Sequence, residues 1–151
     1  MQLEDELSIE APPGVVRTML LDPDVLRRCI PGCEELERTS DTDYTAKVVL
    51  KVGPVKARFS GDVSVIQDEV TGQIHLTGKG SGGVAGFAKG SADVLLHRDA
   101  ADSTRLTYVA QVDVGGRLAQ LGNRLLNSTA RNLTIAFFDA FIQEIADSVS
   151  A

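Results

Sequence analysis

Residues 78–90 hold six glycines in the run Gly78-Lys-Gly80-Ser-Gly82-Gly83-Val-Ala-Gly86-Phe-Ala-Lys-Gly90. Apolar and polar residues alternate on either side of it. The run therefore reads as a β-hairpin whose glycines fall inside the strands as well as at the turn. A glycine within a strand removes a side chain that should fill the core. The missing bulk is either room for a ligand or freedom for the sheet to bend sharply onto its neighbour. Spacing alone leaves both open.

Around the hairpin the chain keeps a period of two. Leu3–Ile9 reads as a first strand. Five more follow at 44–52, 55–65, 70–80, 88–96 and 106–114, and clean alternation implies an antiparallel sheet packed on one side and wet on the other. Between the first strand and these, Pro12 or Pro13 can open a short helix. Asp22-Pro23 starts a second one, and Pro31-Gly32 ends it. The chain closes on a long helix expected from about Arg117 to Asp147, with Leu118, Leu121, Leu125, Phe137 and Phe141 at helical spacings. One sheet and one long helix predict an α+β fold in which a curved sheet wraps the helix and the short helices close one edge.

Register sharpens the prediction. A hairpin centred on Val84 sets Gly78 opposite Gly90 and Gly80 opposite Ala88. A turn near Ala101 sets Ala92 beside Ala110, and a short turn near Asp68 would bring Ala57 alongside Gly78. Small residues then cluster on the face turned to the helix. Pockets for small molecules are concave and mostly apolar, so a ligand cavity is the reading to test. The run also contains Gly78-x-Gly80-x-x-Gly83, a formal dinucleotide fingerprint. It is rejected because a strand, not a helix, follows it.

With 151 residues, 43% hydrophobic and 24% charged, the chain suits one domain over 1–151 with a real core. Its net charge of −6 argues against a nucleic-acid partner. No stretch approaches the roughly 20 apolar residues that span a bilayer. Glu4, Asp5 and Glu6 stand where the basic region of a signal peptide would be, so a cytoplasmic home is expected. Cys29 and Cys33 read as free thiols beside a turn, with no partner set for a metal.

Catalytic residues are not recognisable. His75 and His97 fall on the outer face by parity, as lone solvated side chains. Tyr44 and Tyr108 point inward, and nothing resembles an acid–base pair set in a pocket. One charge pattern is unusual. Arg117, Arg124 and Arg131 stand seven apart, and no acid interrupts Val114–Phe138, which opposes the helix dipole. Two readings stay open for these arginines: a plain solvated face with scattered pairings, or contact with an acidic partner, a ligand head group or an anionic membrane surface.

Several segments resemble one family in order along almost the whole chain. They are Asp22-Pro23-x-x-Leu26-x-x-Cys29-Ile30-Pro31-Gly32-Cys33-Glu34, Val52-Gly53-Pro54-Val55, Phe59-x-Gly61, the run from Gly78 to Gly90, and Gly115-Gly116-x-Leu118-Ala119-Gln120-Leu121-Gly122-x-Arg124. Together they resemble the CoxG proteins of carbon monoxide dehydrogenase. The resemblance implies the helix-grip fold of the SRPBCC, START and Bet v 1 superfamily, in the order β-α-α-β6-α, with a hydrophobic cavity between sheet and C-terminal helix. It implies an accessory protein of an aerobic molybdenum carbon monoxide dehydrogenase, peripheral to the inner face of the cell membrane. A further C-terminal tail that many members carry is expected to be missing here, and Val16 stands where the family often has tryptophan.

On that basis the expected ligand is a respiratory quinone, menaquinone-like, with no covalent cofactor and no metal. The cavity would be lined by Leu26 and Ile30 from the short helices. From the strands it would take Ala57, Phe59, Gly61, Leu76, Gly78, Gly90, Ala92, Tyr108 and Ala110. From the long helix it would take Leu118, Leu121, Leu125 and Phe137. Two other readings stay open: a ligand-free docking module for the dehydrogenase, and a cyclase-like enzyme of the same fold.

Overall fold

A computed structural model describes residues 1–150. The chain runs β1 (Gln2–Ile9), α1 (Pro13–Leu20), α2 (Pro23–Cys29), β2 (Cys33–Arg38), β3 (Asp43–Val52), β4 (Val55–Gln67), β5 (Ile74–Ser81), β6 (Phe87–Ala100), β7 (Ser103–Gly115) and α3 (Asn123–Ser150). The strands form one antiparallel sheet in the order β1-β7-β6-β5-β4-β3-β2. This is the α+β helix-grip architecture expected, with all six strands that follow the short helices in place.

Local chemistry sets the boundaries. Both short helices begin on a proline, whose missing N–H costs nothing in a first turn. The Asp22 carboxylate caps α2 by accepting from the Asp24 N–H at 2.8 Å. Gly32 then turns the chain at φ +75°. A Cβ there would lie 2.1 Å from the Val49 carbonyl oxygen, so only glycine lets β2 start so close to β3.

Four sequence-based expectations need correction. Alternation does not reveal β2, because Cys33-Glu-Glu-Leu-Glu-Arg38 shows one strongly apolar side chain amid charge; it is an edge strand held by β3. The strand expected to start at Val70 starts at Ile74. Asp68 caps the turn before it, accepting from Val70 N at 2.8 Å and Thr71 N at 3.2 Å. That longer turn moves the register, so Val63 and not Ala57 lies opposite Gly78, and Ala57 pairs with Leu50. Finally, the long helix does not begin at Arg117. Residues Gly116–Leu121 form a 3-10 turn, and Gly122, at φ +89°, breaks it from α3. Arg117 therefore does not share a helix with Arg124 and Arg131.

The other registers stand as expected. Gly78 pairs with Gly90, Gly80 with Ala88, and Ala92 with Ala110. Two apolar clusters bracket the inner face. One holds Ile9, Val16, Val25, Ile74, Leu106, Phe141 and Ile145, where α1, α2 and the end of α3 cover the sheet. The other holds Val52, Val55, Ala85 and Leu118 at the hairpin end. The helix α3 leans on α2, on α1, on the 3-10 turn before it and, within the sheet, on β3.

Candidate functional site: an apolar hollow between sheet and helix

Between the two clusters the inner face is open. A cavity of about 480 Å³ lies under α3, floored by Ala46, Val48, Phe59, Gly61, Gly80 and Ala88 and roofed by Leu133, Thr134 and Phe137. Its only polar side chain is Thr134, whose hydroxyl donates to the Ala130 carbonyl at 2.8 Å. A second chamber of about 280 Å³ continues it toward the α1–α2 end, lined by Leu20, Leu26, Leu36, Leu76, Val94 and others. Ile30, Ala46, Val63 and Phe137 line both and form the partition. Phe137 is fixed by its neighbours, edge-on to Phe138 at 5.1 Å and stacked on Phe141 at 6.0 Å. A third space of about 400 Å³ lies over Gly78, Gly90, Ala92, Ala110 and Val112.

The glycines divide between the two explanations that spacing left open. At Gly90 a Cβ would lie 2.6 Å from the Gln111 carbonyl oxygen, so this glycine serves the close approach of β7. At Gly80 a Cβ would meet nothing closer than Ser60 O at 3.6 Å, an ordinary contact. A larger residue would fit the backbone there. The space it would fill belongs to the cavity.

Among the expected lining residues, Ile30, Phe59, Gly61, Leu118 and Phe137 border the main cavity. Leu26 and Leu76 border the inner chamber. Gly78, Gly90, Ala92 and Ala110 border the third space. Four others stand outside all three. Ala57, Leu121 and Leu125 pack in the hairpin-end cluster, and Tyr108 stacks on Phe138 at 5.5 Å. The lining residues of the main cavity that sequence reasoning misses include Ala46, Val48, Leu50 and Val52 of β3 and Leu133 and Thr134 of α3. The inward parity of the β3 residues is visible, but β3 is the strand that α3 approaches, and that placement is tertiary.

The remaining candidates are quickly placed. Arg117, Arg124 and Arg131 are exposed and make no ion pair among the described residues. His75 is not solitary as expected: its Nδ1 lies 2.5 Å from Asp93 Oδ1 on the outer face. Tyr44 donates to the Leu21 carbonyl at 2.6 Å, which spends its hydroxyl inside the scaffold. Burial pushes the Cys29 thiol up to about 11, and both cysteines are free. No group of three His, Cys, Asp or Glu that could hold a metal stands together among the described residues. Among them, too, no helix is long and apolar enough to cross a membrane.

Comparison with solved structures agrees on the architecture. A conserved protein from Geobacillus kaustophilus superposes with a TM-score of 0.90 at 28% identity, over 98% of this chain and 97% of that one. The Zhui aromatase/cyclase from Streptomyces sp. R1128 gives 0.75 at 13% identity, over 99% and 95%. A START superfamily protein from Mycobacterium smegmatis gives 0.75 at 12% identity, over 97% of each chain. The last two show a shared fold. No curated protein sequence matches this chain significantly. The family model for CoxG, a subunit of carbon monoxide dehydrogenase, matches residues 6–146, so the chain belongs to that family.

Proposed function

We propose that this protein carries a respiratory quinone, menaquinone-like, in its hollow as an accessory of an aerobic molybdenum carbon monoxide dehydrogenase, coupling or recruiting that enzyme to the membrane respiratory chain. The observation that carries the reading is the cavity itself. Its walls are almost wholly apolar and it opens to solvent, so without a guest the hollow of about 480 Å³ leaves a concave apolar surface in water. Water gains little there, since the one polar side chain in the lining is already satisfied. An oily guest gains the contacts that the walls lack.

The shape suits an amphiphile with a long tail. The inner chamber prolongs the cavity past Phe137 between sheet and helix, which is where an isoprenoid chain would run. Family membership supplies the partner, because electrons from carbon monoxide oxidation must reach a carrier dissolved in lipid. The cyclase named among the structural neighbours suggests an enzyme instead. Against that reading, the cavity walls offer no acid–base group.

Organic extraction of the purified protein, followed by mass spectrometry, should release a quinone. Titration of the stripped protein with a short-chain menaquinone should saturate at one equivalent. No extracted lipid together with no uptake would overturn the carrier reading and leave the docking module.

A further inference from the structure

Charge is segregated along this molecule far more than its net value suggests. Three segments run from the middle of the molecule into its hairpin end, where Val52, Val55, Ala85 and Leu118 cluster. Residues 49–61 carry Lys51, Lys56 and Arg58; residues 78–92 carry Lys79 and Lys89; residues 114–138 carry Arg117, Arg124 and Arg131. Together they hold eight of the chain's 15 Lys and Arg and none of its 21 Asp and Glu. Only Arg58 is ion-paired among the described residues, to Glu34 at 2.7 Å.

The lysines also break a local rule. In the β3–β4 hairpin Lys51 lies directly across from Lys56, and in the β5–β6 hairpin Lys79 lies directly across from Lys89. Like charges placed opposite each other on a sheet are destabilising. In the second pair each lysine also lies directly across from an acid, Asp62 for Lys79 and Asp113 for Lys89, so only Lys51 and Lys56 face each other with no opposite charge across the ladder. At the same end the β5–β6 tip exposes Val84 at 88% and Phe87 at 50%. Apolar tips at the end that carries Lys51, Lys56, Arg117 and Arg124, none of them ion-paired among the described residues, match a bilayer interface, where the side chains enter the head-group region and the cations meet anionic lipid.

We propose that the hairpin end is a docking surface for an anionic lipid bilayer, with Val84 and Phe87 inserting and Lys51, Lys56, Arg117 and Arg124 facing the lipid phosphates. The surface deepens the membrane role proposed above and rests on that reading. It lies far from where the chain leaves α3. That helix has 28 residues, about 42 Å of rise, and Asp139, Glu144 and Asp147 crowd its far half. The molecule would therefore stand on the bilayer with its basic end down and its acidic end turned to the cytoplasm. The main cavity reaches the docked end through Leu118, Phe59, Gly80 and Ala88.

The test is flotation of the whole protein with vesicles of phosphatidylcholine alone or mixed with phosphatidylglycerol. It should float with the mixed vesicles at low salt, not with the neutral ones, and raised salt should release it. The combined change Lys51→Ser, Lys56→Ser, Arg117→Ser and Arg124→Ser should weaken partition by at least about a hundredfold. Val84→Asp should weaken it by about tenfold without unfolding an exposed tip. Arg27→Ser, on exposed α2, should leave it unchanged. Absence of flotation, equal flotation with neutral vesicles, or flotation indifferent to the hairpin-end changes would overturn the proposal. So would retention by the dehydrogenase alone, which would make the basic end a site for an acidic protein. Quinone titration in the same variants separates the two ideas. Uptake without flotation sinks only the docking surface, and flotation without uptake sinks only the carrier.

Discussion

At one end of the sheet's inner face, Ile74, Val94 and Leu106 join Ile9, Val16, Phe141 and Ile145 in one packed cluster, which forms the far wall of the inner chamber. Midway along the same strands, Gly61, Gly78, Gly80, Ala88, Gly90 and Ala92 face the same way and fill nothing. Ile74, Leu106 and Phe141 are each 0% exposed, whereas the small inward residues stay half-buried. The two regions share an alternation and differ only in side-chain volume. Parity decides which face a residue joins, and size decides whether that face closes.

The contrast breaks first at the filled end. Phe141→Ala should cost about 3–5 kcal/mol, because the ring is fully buried among groups that cannot follow it inward. Denaturant unfolding checks this, and a loss under about 1 kcal/mol would show that the packed end is as slack as the middle. Gly90→Ala comes next, at about 1–3 kcal/mol, since its methyl group would press on the Gln111 carbonyl. Gly80→Val is the informative opposite. It should stabilise by roughly 0.5–1 kcal/mol, because glycine is a poor strand residue. It should also lower quinone uptake at least about tenfold by occupying the floor of the cavity. A variant that is stabler and binds as well would mean that the hollow is not where the guest sits.

Much of this contrast is legible in the sequence. The face of every inward residue follows from period two, and the pairings Gly78 with Gly90 and Ala92 with Ala110 follow from counting across turns. Counting fails where a turn draws its shape from side-chain caps. Asp68 holds two backbone N–H groups and lengthens the β4–β5 turn, which moves Ala57 away from Gly78. It fails again at Gly122, where a leucine pattern continuous across the glycine conceals the break before α3. Whether a glycine makes room or relieves a clash is not legible. Gly80 and Gly90 look alike in sequence, and only the distance to the neighbouring strand separates them.

The smallest expected effect compares two ion pairs, one at each region. Arg28 donates to both oxygens of Glu144, at 2.7 and 3.1 Å, tying α2 to α3 over the filled end. Arg58 grips Glu34 at 2.7 and 3.3 Å, tying β4 to the start of β2 beside the hollow. In each pair the guanidinium hydrogen bond holds the carboxyl below its ordinary value of 4.5. A carboxyl with a lowered folded pKa adds stability that is fully present above about 4.5 and is lost as pH falls through the folded value. The Glu34 side chain is 44% exposed and that of Glu144 25%, so both gains are small and salt should screen them. Glu144→Gln and Glu34→Gln should each flatten the drop in melting temperature below pH about 4.5, at low salt only. The Glu144 change should be the larger. The strands β2 and β4 are already joined through the ladders of β3, while α2 and α3 share no backbone ladder. Acid profiles parallel to the parent's in both variants would show that neither bridge matters. A larger effect at Glu34 would locate the weaker joint of this fold beside the hollow, not at its packed end.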